Sequence, residues 1–147
     1  MAILINNSQS KLQIHPETIK KKAKVILNAL GCPEGELSIL IVDDMQITPL
    51  NRQYLQREGP TNVIAFPMRE GDFSDITPHL LGDVVISVET AQREGQESGT
   101  DMEQRFMQLL VHGILHLFGY DHIDSESDAQ QMDEKSSALL TLIDHID

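Results

Sequence analysis

The chain has 147 residues, one cysteine and a formal charge of −12. A single chain of this length buries about 70% of its unfolded surface, so one domain can hold a core without disulfides. The lone Cys32 suits a reducing cytoplasm, no signal-peptide pattern opens the chain, and no apolar run approaches membrane-spanning length. The acidity argues against a generic nucleic-acid coat, because phosphate binding draws on positive charge.

Residues 2–6 form a short apolar run that predicts a strand. His15-Pro16-Glu17 reads as a helix start, and Ile19, Ala23, Ile26, Leu27 and Leu30 then recur at helical spacing until Gly31. Lys20, Lys21, Lys22 and Lys24 fill its other faces, either as a solvated surface or as an RNA-backbone contact. Residues 37–42 are apolar and rich in β-branched side chains, which predicts a buried strand. Asp43 and Asp44 can cap a helix running to about Leu55, with Pro49 disturbing its start. Gly59-Pro60-Thr61-Asn62 is turn chemistry, and residues 63–66 predict a strand stopped by Pro67.

An acidic, turn-rich loop follows over residues 68–79, and residues 88–97 read as a helix that ends at Ser98-Gly99. Asp83, between them, is placed either towards a cleft or as a turn acid at a strand start. Thr100 and Glu103 have the spacing of a capping box for the next helix. That helix is apolar on several faces through Met102, Phe106, Leu109 and Leu110, so it should be central and buried. Asp124 or Ser125 can cap a last helix whose apolar side carries Ala129, Met132, Leu139, Leu140 and Ile143. Strands and helices mix without a steady β-α-β alternation, which predicts an α+β domain with a small mixed sheet.

The chemistry concentrates between His112 and His122, which read H-G-I-L-H-L-F-G-Y-D-H and fit H-x-x-x-H-x-x-G-x-x-H. On a helix, His112 and His116 share one face a turn apart. A tetrahedral zinc with Zn–N bonds of about 2.1 Å needs its nitrogens about 3.4 Å apart, which two such imidazoles can meet. Gly119 lets the chain leave the helix, and His122 returns as a third ligand. Three protein ligands leave one position open, as in catalytic zinc sites. His15, His79 and His145 lack such spacing and read as surface or capping residues. Asp121 is either a turn residue or a hydrogen-bond acceptor for a ligand imidazole. Zinc proteases carry a general-base Glu after the first His, and here that position is Gly113. Gly113 is expected to face the cleft and leave room there for substrate.

The histidine stretch resembles the YbeY family of bacterial ribosomal-RNA maturation endoribonucleases. The likeness extends to Pro60-Thr61-Asn62-Val63, to Phe66-Pro67, and to the strand Leu81-Gly82-Asp83-Val84-Val85-Ile86-Ser87. Leu50, Asn51 and Tyr54 also match, but the family's functional arginine falls on Leu55 and Arg57 is the nearest substitute. On a continuous helix the two would point to different faces, so the substitution requires that the helix has ended. The resemblance implies a four-stranded sheet packed with about five helices in one domain, with a zinc at a cleft. It implies a single-strand-specific endoribonuclease acting on ribosomal RNA, at the 3′ end of 16S rRNA, and on the ribosome. No membrane or DNA partner is expected. His112, His116 and His122 would serve as catalytic and metal residues, and Arg57 and Gly113 as substrate contacts. A zinc peptidase and a non-catalytic metal module on the ribosome are the competing readings.

Overall fold

The structure is a computed structural model and describes residues 3–68, 79–120 and 126–146. Its elements are β1 (Ile3–Asn7), α1 (Pro16–Ala29), β2 (Glu36–Val42), α2 (Asp44–Leu55), β3 (Val63–Pro67), β4 (Leu80–Ser87), α3 (Val88–Glu97), α4 (Met102–Leu117) and α5 (Glu126–Ile143). The sheet order is β1-β2-β4-β3. β1, β2 and β4 run parallel, and β3 is antiparallel to β4 at one edge. The expected α+β domain with a four-stranded mixed sheet and five helices is therefore the architecture found.

Alternation along the strands sorts the side chains onto two faces. Ile39, Ile41, Val84 and Ile86 pack with α1, α4 and α5 in the main core. Val42, Ile64 and Val85 point the other way and close over Ile47 of α2. Asp83 lies two residues before Val85, so it shares the α2 side of the sheet. It does not face the side on which α4 packs, which corrects the placement towards a cleft.

Helix starts follow local hydrogen-bond chemistry. The Asp43 carboxylate accepts from the Gln46 backbone N–H at 2.9 Å while the Gln46 side chain accepts from the Asp43 backbone N–H at 2.9 Å. Pro49 lies inside α2 rather than at its start. The capping box of α4 is one residue later than expected. The Asp101 carboxylate accepts from the Gln104 backbone N–H at 2.8 Å, and the Gln104 side chain accepts from the Asp101 backbone N–H at 3.2 Å. Thr100 instead closes α3, its backbone N–H donating to the Gly95 carbonyl at 2.7 Å. The proposed caps of α5, Asp124 and Ser125, lie outside the described residues, as does most of the loop expected over 68–79.

Asp44 ties the two halves of the sheet together where β2 and β4 end. Its Oδ1 accepts from the Ser87 and Thr90 hydroxyls, each at 2.6 Å, and its Oδ2 from Arg93 Nη1 at 2.7 Å. Its backbone N–H donates to Glu89 Oε1 at 2.9 Å. Partial burial pushes the Asp44 carboxyl pKa up, but the hydrogen bonds from Ser87, Thr90 and Arg93 together hold it below the usual carboxylate value. A carboxylate whose pKa is depressed by folding stabilises the native state above its unfolded pKa. That stabilisation is lost as the pH falls through the folded value. Asp44→Asn should cost about 2 kcal/mol at neutral pH, because buried hydroxyls lose a charged acceptor. Thermal melts should show a fall in Tm of about 4–8 °C. The wild-type and variant melting temperatures should converge as the pH drops below about 3.8. A difference that stays constant into acid would remove the charge from this explanation.

Candidate metal and RNA site

Helix α4 carries the histidine pair and also fills the core. Leu110, Val111, Ile114 and Leu115 are fully buried, which fixes the rotation of the helix about its axis. His112 and His116 emerge on the half-buried face that remains. Their rings lie 4.5 Å apart at 75°, and the two Nε2 atoms approach to 3.0 Å. This convergence is near the separation of about 3.4 Å that two nitrogens on one tetrahedral zinc require. The pair therefore fits as two ligands of one metal ion.

The end of α4 is set by Gly119, whose φ of 92° is left-handed. The Gly119 N–H donates to the His116 carbonyl and the Tyr120 N–H to the Leu115 carbonyl, each at 3.0 Å. These two bonds are a Schellman motif and satisfy carbonyls that the helix end would otherwise leave open. Asp121 and His122 lie beyond this turn and outside the described residues. Among the described residues no third His, Cys, Asp or Glu joins the pair in a metal-sized cluster.

The histidines form one wall of a cavity of about 450 Å³. β3 supplies another wall through Val63 and Ala65, and the segment after α2 supplies the rim through Arg57 and Thr61. No described acidic residue lines this cavity. Leu55 is the last residue of α2, and Gln56 takes a left-handed conformation with φ 54°. The helix has ended before Arg57, so the objection from helical spacing no longer applies. Leu55 and Arg57 both border the cavity.

The lysines of α1 do not border it. Lys22 lies at the far end of α4, beside Glu103 and Met107. His15 sits there too, at the N-cap of α1 and 3.5 Å from Glu103, and His79 and His145 are exposed elsewhere.

Gly113 departs from its expected role. A Cβ at this position would lie 2.7 Å from Val84 Cγ1 and 3.3 Å from Val63 Cγ2. The space that a side chain would take is filled by the sheet and is not left open for substrate. Only the Gly113 backbone reaches the cavity. A Glu in its place would be aimed into β4, away from the histidine nitrogens. Sequence reasoning missed this because a ligand's neighbour on a helix is assigned a face only once the packing is known. It also missed Asn62, whose amide donates to Glu94 at 3.2 Å while its Oδ1 accepts from the Val63 N–H at 2.7 Å. Asn62 is thereby locked at the cavity wall; its sequence signals were its place in a turn and in the stretch 60–63 that resembles the family.

Fold and site together define a small α+β domain with a helical histidine pair at a cleft beside a mixed sheet. The comparisons with known proteins give that class its family. Residues 4–144 match the family model described as Endoribonuclease YbeY. The Syntrophotalea carbinolica protein named Endoribonuclease YbeY is 48% identical over 96% of this chain and 95% of its own length. Its Geobacter sulfurreducens namesake is 44% identical over 99% of this chain and 97% of its own. A Thermotoga maritima protein, TM1509, with a structure determined in solution, matches with a TM-score of 0.70 and 25% identity, over 96% of this chain and 88% of that one. The chain belongs to the YbeY family.

Gly113→Ala tests the packing. Alanine gains up to about 1 kcal/mol of helix propensity, but overpacking costs about 1–3 kcal/mol, so overpacking should win. Melting temperature should fall by about 4 °C. In a Val84→Ala background the penalty should vanish, because the blocking methyl is gone. Additive losses in the double variant would show that the two positions do not meet as described.

Proposed function

We propose that this chain is a zinc-dependent endoribonuclease that cleaves single-stranded RNA during maturation of ribosomal RNA, at the 3′ end of 16S rRNA. The supporting observation is the pair of Nε2 atoms 3.0 Å apart, on a cavity wall whose rim carries Arg57. His112, His116 and His122 would hold one zinc per chain. When bound, zinc supplies positive charge for phosphoryl oxygens and lowers the pKa of a water ligand from about 16 to about 7. The remaining work falls to the chain itself. The Arg57 guanidinium can donate to non-bridging phosphate oxygens and hold the backbone against the histidine wall. Asn62 keeps that wall rigid. The residue after His112 is Gly113 where zinc peptidases carry Glu, so the peptidase reading lacks its usual general base. The family's endoribonuclease name stands against a merely structural metal module. Single-stranded RNA suits the cleft because its backbone and 2′-OH groups are accessible without unpairing.

The setting we propose is cytoplasmic and ribosome-associated, with no DNA or membrane partner. No helix among the described residues is long and apolar enough to cross a membrane. The −12 charge fits a protein that grips RNA at one local site and repels it elsewhere.

Metal analysis and cleavage of labelled single-stranded RNA test the reading together. Alanine at His112, His116 or His122 should strip the metal and abolish cleavage, as should a chelator, while His79→Ala should change neither. Casein should remain intact throughout. Full metal occupancy in His116→Ala would sink the proposal. Arg57→Ala should weaken RNA binding with metal retained. It should also flatten the salt dependence by about 0.7 in log–log slope, the share of one phosphate contact on a single strand. An unchanged slope would take Arg57 out of the phosphate path.

A further inference from the structure

A second cavity, of about 300 Å³, opens beside the first along the seam of α4 and α5. The two share Asn62, Val63 and His112, so they meet at the histidine wall. One turn before His112 stands Gln108, half-buried at the mouth of the second cavity. Its Oε1 accepts from Arg105 Nη1 at 2.9 Å. Arginine has donors only, so this contact fixes which way the amide faces. The oxygen is turned to Arg105, and the NH₂ is left to donate elsewhere. The Arg105 charge is already matched, since its Nε lies 3.0 Å from Glu94 Oε1. The cavity therefore offers no spare positive charge to a phosphate. It offers an amide donor, the Ser136 hydroxyl and apolar walls from Val63, Leu109 and Leu140.

We infer that this cavity is a nucleobase subsite. It takes the base of one nucleotide flanking the phosphate held at the histidines, and it reads the edge of that base through the Gln108 amide. The inference rests on the nuclease reading above for the position of the phosphate. The mixed lining, apolar at Val63, Leu109 and Leu140 and polar at Gln108 and Ser136, suits the faces and edge of a splayed-out base. The subsite holds a single nucleotide, because past Gln108 the same seam sets Asp101, Glu103 and Asp144 against Lys22 alone, a net negative stretch that repels a phosphate backbone. A donor at the reading position favours a base edge rich in carbonyl acceptors. Uracil presents two carbonyls, whereas adenine sets an exocyclic amine, which an amide NH₂ cannot satisfy, beside its ring-nitrogen acceptors. Uracil is thus the preferred occupant, with Ser136 available to its ring N–H.

The test is equilibrium binding of uridine and adenosine 3′,5′-bisphosphates to the metal-loaded protein. Each probe carries one base between two phosphates. The uridine form should bind about 3- to 10-fold more tightly, the range of a single net hydrogen bond. Gln108→Ala should abolish the ratio. Gln108→Glu, which puts an acceptor in place of the donor, should reverse it. Leu140→Trp should fill the cavity and weaken both probes by about tenfold or more. A ratio unchanged in Gln108→Ala overturns the subsite, as does a wild type that binds neither probe. A protein that cleaves RNA with its base ratio insensitive to Gln108 keeps the nuclease reading and loses the subsite. A protein that discriminates the probes through Gln108 without cleaving RNA loses the nuclease reading and keeps the subsite.

Discussion

At Gly113 the backbone of α4 rests against Val84 of the central strand β4, closer than a side chain would allow. Most of the molecule is arranged around that approach. It brings α4 down onto the strand face that carries Ile39 and Ile86, so the core of the domain is the underside of the helix that carries the histidine pair. It also sets the depth of the histidines relative to β3, which forms the opposite wall of the cleft. The glycine after the first histidine is thus a packing requirement with a chemical consequence. The fold cannot place a carboxylate side chain at that position without displacing Val84.

Charge is handled by segregation. The chain is strongly acidic, yet no described acid lines the histidine cavity. Acids instead cap helices, as Asp43 and Asp101 do, or are neutralised, as Asp44 is by Arg93 and Glu94 by Arg105. Others cluster at the far end of α4 around Lys22, which turns the basic run of α1 into part of a mixed-charge surface. Such an arrangement confines favourable phosphate contact to a short stretch of surface.

Much of the architecture was legible from periodicity. The strand at 37–42 and the helix at 88–97 stand close to their expected bounds, because their patterns and flanking turn residues are clear, and the strand at 81–87 stands where the family resemblance implied. The convergence of His112 and His116 was legible too, since i and i+4 meet on any helix. The errors share one cause. Thr100–Glu103 and Asp101–Gln104 both have capping spacing, and only the demand of Gly95 for a donor assigns Thr100 to the preceding helix. The facing of Asp83 and of Gly113 depends on which side of the sheet α4 occupies, a long-range fact that no local pattern encodes. Arg57 was ambiguous until Gln56 adopted a conformation that non-glycine residues visit at a cost of about 1–2 kcal/mol. The amide of Gln108 was invisible because its orientation is set by Arg105, and that contact exists only in the folded helix.

The strand order also says something about the chain while it is being made. β4 lies between β2 and β3, yet it is synthesised after both. When residue 67 emerges, β3 has no partner, and β2 presents an unpaired edge carrying Ile39 and Ile41. Neither is relieved until residue 87 arrives, and the main core stays uncovered until α4 is complete at residue 117. At roughly 5–20 residues per second, the nascent chain spends about 1–4 s with an open sheet edge beside the ribosome. Open edges recruit other strands. A protein proposed to service ribosomal RNA thus begins its own life as a client, dependent on whatever shields nascent chains at the exit tunnel.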